Sequence, residues 1–190
     1  INRAFGATVK ADISGYTDVS KSAWYYNEIA KAVNMQTLVG VSNTKIDPEG
    51  YITRESMLTI LARALVLDEG YATSLSRFVD GSNVSTWAKP LVAAMAERGY
   101  VNGNEKGELN PRSYITREEF SQVMHNIFRM YIPNTIKIDG GTFDTTIIRA
   151  KDVTLNNVTI NGDLVVGDGV GTGNLNLTNV IVTGRILFRG

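Results

Sequence analysis

Two arginines sit where a helix is about to begin. Arg54 and Arg117 each follow a threonine within the same string, Tyr-Ile-Thr-Arg-Glu, at residues 51–55 and 114–118. Thr53 and Thr116 precede helical periodicity and suit an N-cap, where the hydroxyl accepts a bond from an otherwise unpaired amide. Glu119, three residues after Thr116, completes a capping box; Ser56 holds that place in the first copy and leaves the box incomplete. Positive charge in a first helical turn opposes the helix dipole by about 0.3–1 kcal/mol. A guanidinium placed there twice therefore has one of two explanations. It grips a carboxylate or phosphate seated at the helix start, or each arginine pairs with an acid of its own repeat.

Other side chains at matched spacing could take part. Trp24 and Trp87 stand 30 residues before Arg54 and Arg117 respectively. A tryptophan at a helix start is most often a core anchor with its N–H paired, and that is the expected role; such a ring also stacks on sugar faces. Asp18 and Asp80 precede helices and fit either capping or acceptance from ligand hydroxyls. Gly103 lies in a Gly- and Asn-rich loop whose backbone could approach a ligand closely, although a plain turn is the simpler reading. His125 is the single histidine, and one histidine without a nucleophile or partner cluster makes no catalytic triad.

The elements that must hold these residues repeat. Trp24 and Trp87, Pro48 and Pro111, and the two five-residue strings all keep an offset of 63, which is the signature of an internal repeat. From Trp24 a helix is expected with Tyr25, Ile29, Ala32 and Val33 on one face. Ala88, Val92, Met95 and Ala96 are the matched set, with Pro90 tolerated in the first turn. After Thr53 the buried face is Met57, Ile60, Leu61, Ala64 and Leu65; after Thr116 it is Phe120, Val123, Met124, Ile127 and Phe128. These positions are read as core, with no cofactor implied.

The 190 residues suffice for one large or two small domains with real cores. Nineteen basic and nineteen acidic side chains balance, so neither a nucleic acid nor an anionic membrane is expected as a partner. The absence of cysteine excludes disulfides, thiolate metal sites and cysteine catalysis. There is no apolar run long enough to insert in a membrane.

The order Tyr16-Thr17-Asp18, Trp24, Gly40, Asp47-Pro48, Ile52-Thr53-Arg54-Glu55 resembles an S-layer homology (SLH) motif. Phe78-Val79-Asp80, Trp87, residues 99–103, Asn110-Pro111 and residues 115–120 resemble it more closely. The resemblance covers roughly the first 130 residues. Residues 1–6 resemble the end of the helix at 61–65, with Arg3 in the place of Arg63, so the tail of an earlier motif is expected there. The resemblance implies helical motifs in a pseudo-threefold bundle. It also implies grooves between neighbouring motifs that bind secondary cell-wall polysaccharide whose terminal sugar carries a pyruvate ketal. Arg54 and Arg117 would then hold the carboxylate, Trp24 and Trp87 would face the sugar, and Asp18, Asp80 and Gly103 would read its hydroxyls.

Near residues 132–134 the pattern changes to short runs of Val, Ile, Thr and Leu between Asn and Gly turns. Ile136, Val158 and Val180 lie 22 apart, as do Ile138, Ile160 and Val182; Gly140, Gly162 and Gly184 share one corner, and Asn157 and Asn179 another. Leu164 is expected beside Ile186, and Val166 beside Phe188. Such a period predicts coils of a parallel β-helix. The array runs to Gly190 without a polar cap, so further coils are expected beyond it.

The expected fold class is thus α + β multidomain, with α-helical SLH repeats followed by a short parallel β-helix. The expected boundaries are 1–15 for the end of a truncated motif and its connector, 16–75 and 76–132 for two whole motifs, and 133–190 for the coils. The expected function is non-catalytic anchoring of a bacterial cell-surface protein to its wall, without cofactor or metal. One alternative is a fragment of a β-helical polysaccharide lyase whose active site lies past residue 190. Another is a component or stalk of a surface lattice, which self-association would fit. Asp139, Asp144, Asp152, Asp163 and Asp168 sit at turns, where aspartate serves the backbone, and fold analogy alone licenses no activity.

Overall fold

A computed structural model describes residues 1–189; Gly190, the last residue of the expected coils, lies outside the described residues. Among the described residues five α-helices run in chain order: α1 (Asn2–Phe5), α2 (Tyr26–Asn34), α3 (Arg54–Ala64), α4 (Lys89–Glu97) and α5 (Arg117–Ile127). Six strands follow: β1 (Met130–Ile132), β2 (Lys137–Ile148), β3 (Val153–Val166), β4 (Leu175–Thr178), β5 (Ile181–Val182) and β6 (Ile186–Phe188). The chain divides into two compact units, residues 12–126 and residues 1–11 with 127–190.

The expected apolar faces of α3 and α4 are largely buried, whereas of the α2 face only Ile29 is buried and of the α5 face only Val123 and Ile127. Met57, Leu61, Ala64 and Leu65 of the α3 region are buried, joined by Leu58 and Ala62, while Ile60 is only half-buried. Five successive residues of α4, Val92–Ala96, are buried, so this helix is enclosed on nearly all sides. Pro90 occupies its first turn, where no intrahelical amide is needed. The connection from α3 passes close to α4: Gly70 donates its amide to the Pro90 carbonyl at 2.9 Å, and a Cβ there would strike the backbone of Ala94. That approach requires glycine.

In the other unit all six strands belong to one parallel sheet that winds into a β-solenoid of about three turns. It begins at β1, where Met130 lies beside Thr146, three residues earlier than the expected start at 133. Ile148, Val153, Leu155, Val158, Ile160, Leu164 and Val166 point inward and form the stacked aliphatic core.

The uniform period of 22 needs correction. Leu155 lies beside Leu177, Ile160 beside Val182, Leu164 beside Ile186 and Val166 beside Phe188, all 22 apart as expected. Between the first two coils, however, Ile138 lies beside Leu155 and Val158 beside Gly141, 17 apart, and after a bulge at Asp144–Thr146 the spacing is 18. The physical cause is corner length. Four residues, 149–152, join β2 to β3, whereas eight, 167–174, join β3 to β4 and hold a 3-10 turn. Gly140 is consequently level with Asn157, and these two share their left-handed corner with Asn179 (φ 81°, 53° and 53°). Side chains ladder along it, Asn157 donating to Asp139 at 2.9 Å and Asn179 to Asn157 at 2.8 Å. Gly162 and Gly184 form the separate corner expected of them, joined at 2.9 Å from amide to carbonyl. The first coil places Thr145 there, its hydroxyl accepting from the Asp163 amide.

Asp163, buried in that region, receives the guanidinium of Arg185 at 2.7 and 3.1 Å and its amide at 2.8 Å. Three donors on one carboxylate offset the cost of burying the charge. The short helix α1 packs in this same unit. Phe5 is fully buried, edge-on to Phe128 at 5.8 Å, and Gly6 (φ 74°) lies so near Gly169 that a Cβ would sit 2.6 Å from its Cα.

Candidate functional site

The two copies of the five-residue string meet. The Ile115 amide donates to the Ile52 carbonyl at 3.1 Å, Thr53 bridges antiparallel to Tyr114, and the Tyr51 and Tyr114 rings lie 5.1 Å apart. The Arg54 and Glu55 amides at the start of α3 donate to the carbonyls of Ser113 (2.9 Å) and Pro111 (2.8 Å), and the Ser56 amide to Thr53 Oγ1 (3.3 Å). The amides of this helix start are therefore occupied from within the chain.

Arg54 itself pairs with Glu119 at 2.8 Å. This is an acid of the other repeat rather than of its own, as the pairing alternative had expected. Glu119 meanwhile accepts the Thr116 amide at 2.9 Å and donates its own amide to Thr116 Oγ1 at 3.2 Å. The capping box read from the sequence is formed, and its free oxygen compensates a guanidinium that the α3 dipole disfavours. Arg117, at the start of α5, is exposed, and no described residue pairs with its guanidinium.

Asp18 and Asp80 perform the same backbone task in the two repeats. Asp18 accepts the Ile46 and Asp47 amides at 3.0 and 2.8 Å; Asp80 accepts those of Leu109 and Asn110 at 2.6 and 2.8 Å. Each fixes a left-handed residue ahead of a proline, Asp47 (φ 58°) or Asn110 (φ 53°). The Ile46 amide, aided by that of Asp47 and by Lys45, outweighs desolvation and holds the Asp18 carboxyl below its ordinary value. The folded state thus binds this proton less readily than the unfolded chain. The stabilisation is full above the unfolded value and is lost as pH falls through the depressed folded one. Acidification below the ordinary aspartate range is expected to release the Ile46 and Asp47 amides, read as faster hydrogen exchange there, and Asp18→Asn is expected to show that exchange already at neutral pH.

Both tryptophans correct the core expectation. Trp24 is 88% exposed and Trp87 56%. They line one cavity of about 690 Å³ together with Tyr25, Ile29, the loop at 38–41, residues 46–52 and one face of α3. Ser56, Thr59, Ile60 and Arg63 form that face, spaced i, i+3, i+4 and i+7 so that all four point the same way. The cavity takes the matched residue Gly40 from the first repeat; Gly103 is outside it, in a tight turn where a Cβ would come within 2.9 Å of Gly107. Arg54, Arg117, Asp18 and Asp80 do not line it either. Asp80 borders a smaller, polar hollow with Asn83 and residues 110–113.

The sequence reading passed over Glu55 and Arg63. Glu55, 4% exposed, accepts the Ser85 amide at 2.8 Å and the Ser85 hydroxyl at 2.7 Å, tying α3 to the segment that enters α4. Arg63 is half-buried, and burial pulls its guanidinium below its ordinary value. The available signal was a polar stripe, Ser56-Thr59-Arg63, interrupting an apolar helix. Among the described residues no group of His, Cys, Asp and Glu could hold a metal ion, and no helix is long and apolar enough to cross a membrane.

Tandem helical repeats, each with an aspartate clamp, a tryptophan and a Thr-Arg helix start, here precede a parallel solenoid. That combination defines a modular repeat protein. Residues 15–58 and 77–121 match the S-layer homology domain, which is found in bacterial cell-surface proteins. It is 33% identical over 175 residues to a surface-layer 125 kDa protein of Lysinibacillus sphaericus, covering 84% of this chain and 14% of that one. It is 30% identical over 115 residues to an exoglucanase of Acetivibrio thermocellus, covering 59% and 10% respectively. A solved structure of a cell-surface-expressed chitinase from Paenibacillus sp. str. FPU-7 shares 37% identity, covers 27% of this chain and 70% of that chain, and superposes with a TM-score of 0.20. The chain thus spans only a small fraction of the two full-length relatives.

Proposed function

We propose that residues 16–75 and 76–132 are two SLH motifs that anchor a bacterial surface protein non-covalently to its wall by binding secondary cell-wall polysaccharide. Residues 133–190 would serve as spacer or display segment, and the motifs would belong to a pseudo-threefold arrangement. The observation that carries this reading is the cavity holding both tryptophans. Large indoles left in contact with water lose the burial they would gain in a core, and two of them on one concave surface suit the apolar faces of sugar rings. The aspartate clamps on Asp18 and Asp80 order the loops beside the helices, and Gly103 keeps its loop tight.

A pyruvate ketal on the terminal sugar would supply a carboxylate. Of the two matched arginines, Arg117 is exposed and unpaired at a helix start and suits that anion, while Arg54 would have to exchange Glu119 for it. Support also comes from the relatives: this region is shared by a surface-layer protein and an exoglucanase, as an attachment module would be. Catalysis is not assigned to these residues.

The test is co-sedimentation of the chain with purified bacterial cell walls carrying their polysaccharide, and with walls stripped of it. Binding to the first alone is expected, and Trp24→Ala and Trp87→Ala are each expected to weaken it roughly tenfold, about 1.4 kcal/mol. Equal retention on stripped walls, or undiminished binding by both variants, contradicts the reading.

A further inference from the structure

We propose that Tyr51 and Tyr114 are a site of oxidative cross-linking, where a dityrosine bond staples the two helical repeats together. The inference is independent of the glycan-binding reading. The two rings come from matched positions 63 residues apart, one from each repeat. Their centroids lie 5.1 Å apart with the planes 35° from parallel, which is contact distance for aromatic rings. Backbone holds them in that approach, the Ile115 amide donating to the Ile52 carbonyl at 3.1 Å and Thr53 bridging antiparallel to Tyr114. A ring pair that served packing alone would gain most by leaving water. This one stays in it: Tyr51 is 82% and Tyr114 64% exposed, and no described residue hydrogen-bonds either phenol oxygen. Each ring is thus open to an oxidant and faces a second phenol. The chain has no cysteine, so a covalent tie between the repeats has to use other side chains.

The chemistry balances with hydrogen peroxide as the oxidant and a haem peroxidase as the agent that uses it. Each phenol gives up one electron and its O–H proton and becomes a phenoxyl radical, with spin on the ring carbons ortho to the oxygen. The two radicals pair in a Cε–Cε bond. The hydrogen on each joined carbon then moves to its own oxygen, which restores both phenols. The electrons and protons released reduce one peroxide to two waters, so the chain loses two hydrogens overall. The new bond closes a long loop of the unfolded chain, and lowering the entropy of that state stabilises the folded one.

The test treats the whole chain, dilute, with hydrogen peroxide and a haem peroxidase, then digests it with trypsin. Tyr51 lies in the tryptic peptide 46–54 and Tyr114 in the peptide 113–117. The expected result is a monomer lighter by two hydrogens, with dityrosine fluorescence, whose main cross-linked product joins those two peptides. Tyr51→Phe and Tyr114→Phe are each expected to remove the joined peptide and most of the fluorescence. Tyr71→Phe, at a tyrosine 78% exposed and outside the pair, is expected to leave both unchanged. Oxidation in concentrated urea is expected to lose the preference for this pair, since the folded backbone brings the rings together. By circular dichroism the cross-linked chain is expected to unfold about 5 °C or more above the untreated one. Fluorescence that survives Tyr51→Phe overturns the inference. So do products joined chiefly between chains or through Tyr71, and a joined peptide that forms equally well in urea. A cross-linked chain that unfolds at the untreated midpoint overturns its role as a staple.

Discussion

Ile160→Ala is expected to destabilise the solenoid by about 2–5 kcal/mol. Ile160 is fully buried in the middle of β3, beside Phe143 of the preceding coil and Val182 of the following one. Parallel ladders hold the backbone on both sides at fixed spacing. The walls of the new cavity therefore cannot close on it, and the lost contacts add to the lost transfer free energy. Exchange of the β3 amides, followed residue by residue, measures the change directly. A loss below about 1 kcal/mol would mean that the coils slide or repack, contrary to the register described above.

The second large effect belongs to the helical unit. Glu55→Ala is expected to cost about 3 kcal/mol, because two charge-assisted bonds are removed and the Ser85 amide and hydroxyl lose their shared acceptor. Glu55→Gln retains one acceptor oxygen and is expected to cost less. Both tryptophans lie in residues 12–126, so urea unfolding followed by their fluorescence reports this unit. The matched Glu118 is exposed, and Glu118→Ala is the internal control, with a change expected within about 0.5 kcal/mol. Equal effects at the two positions would remove the case for Glu55 as the tie between α3 and α4.

What could be read in the sequence was local or periodic. The capping box at Thr116 and Glu119, Pro90 in a first turn and the apolar faces of α3 and α4 depend on neighbours within one or two turns, and each is found where the pattern puts it. The repeat brought matched residues into register and so indicated that Asp18 and Asp80 share a task. Pairings over long sequence distances were not readable. Arg54 and Glu119 are 65 residues apart, and nothing in either repeat states that the two strings face each other. Trp24 and Trp87 were misjudged because a ring at a helix start has the same sequence context whether it faces a core or a cavity. The solenoid period was correct across the eight-residue corner at 167–174 and wrong across the four-residue corner at 149–152, because identical residue types recur at more than one offset. Arg63 was legible only as an arginine on an apolar helix face, a position that also suits a long side chain reaching water.

The most direct measurement uses the fact that the chain has two tryptophans. Their indole N–H groups give two resonances in a nitrogen–proton correlation spectrum of the labelled chain. Titration with pyruvylated cell-wall polysaccharide fragments is expected to shift both resonances together along one saturable curve. Because the two rings line a single cavity, one binding event must move both. Fragments that bind while leaving both indole signals in place would contradict the claim that this cavity is where the wall polymer is held.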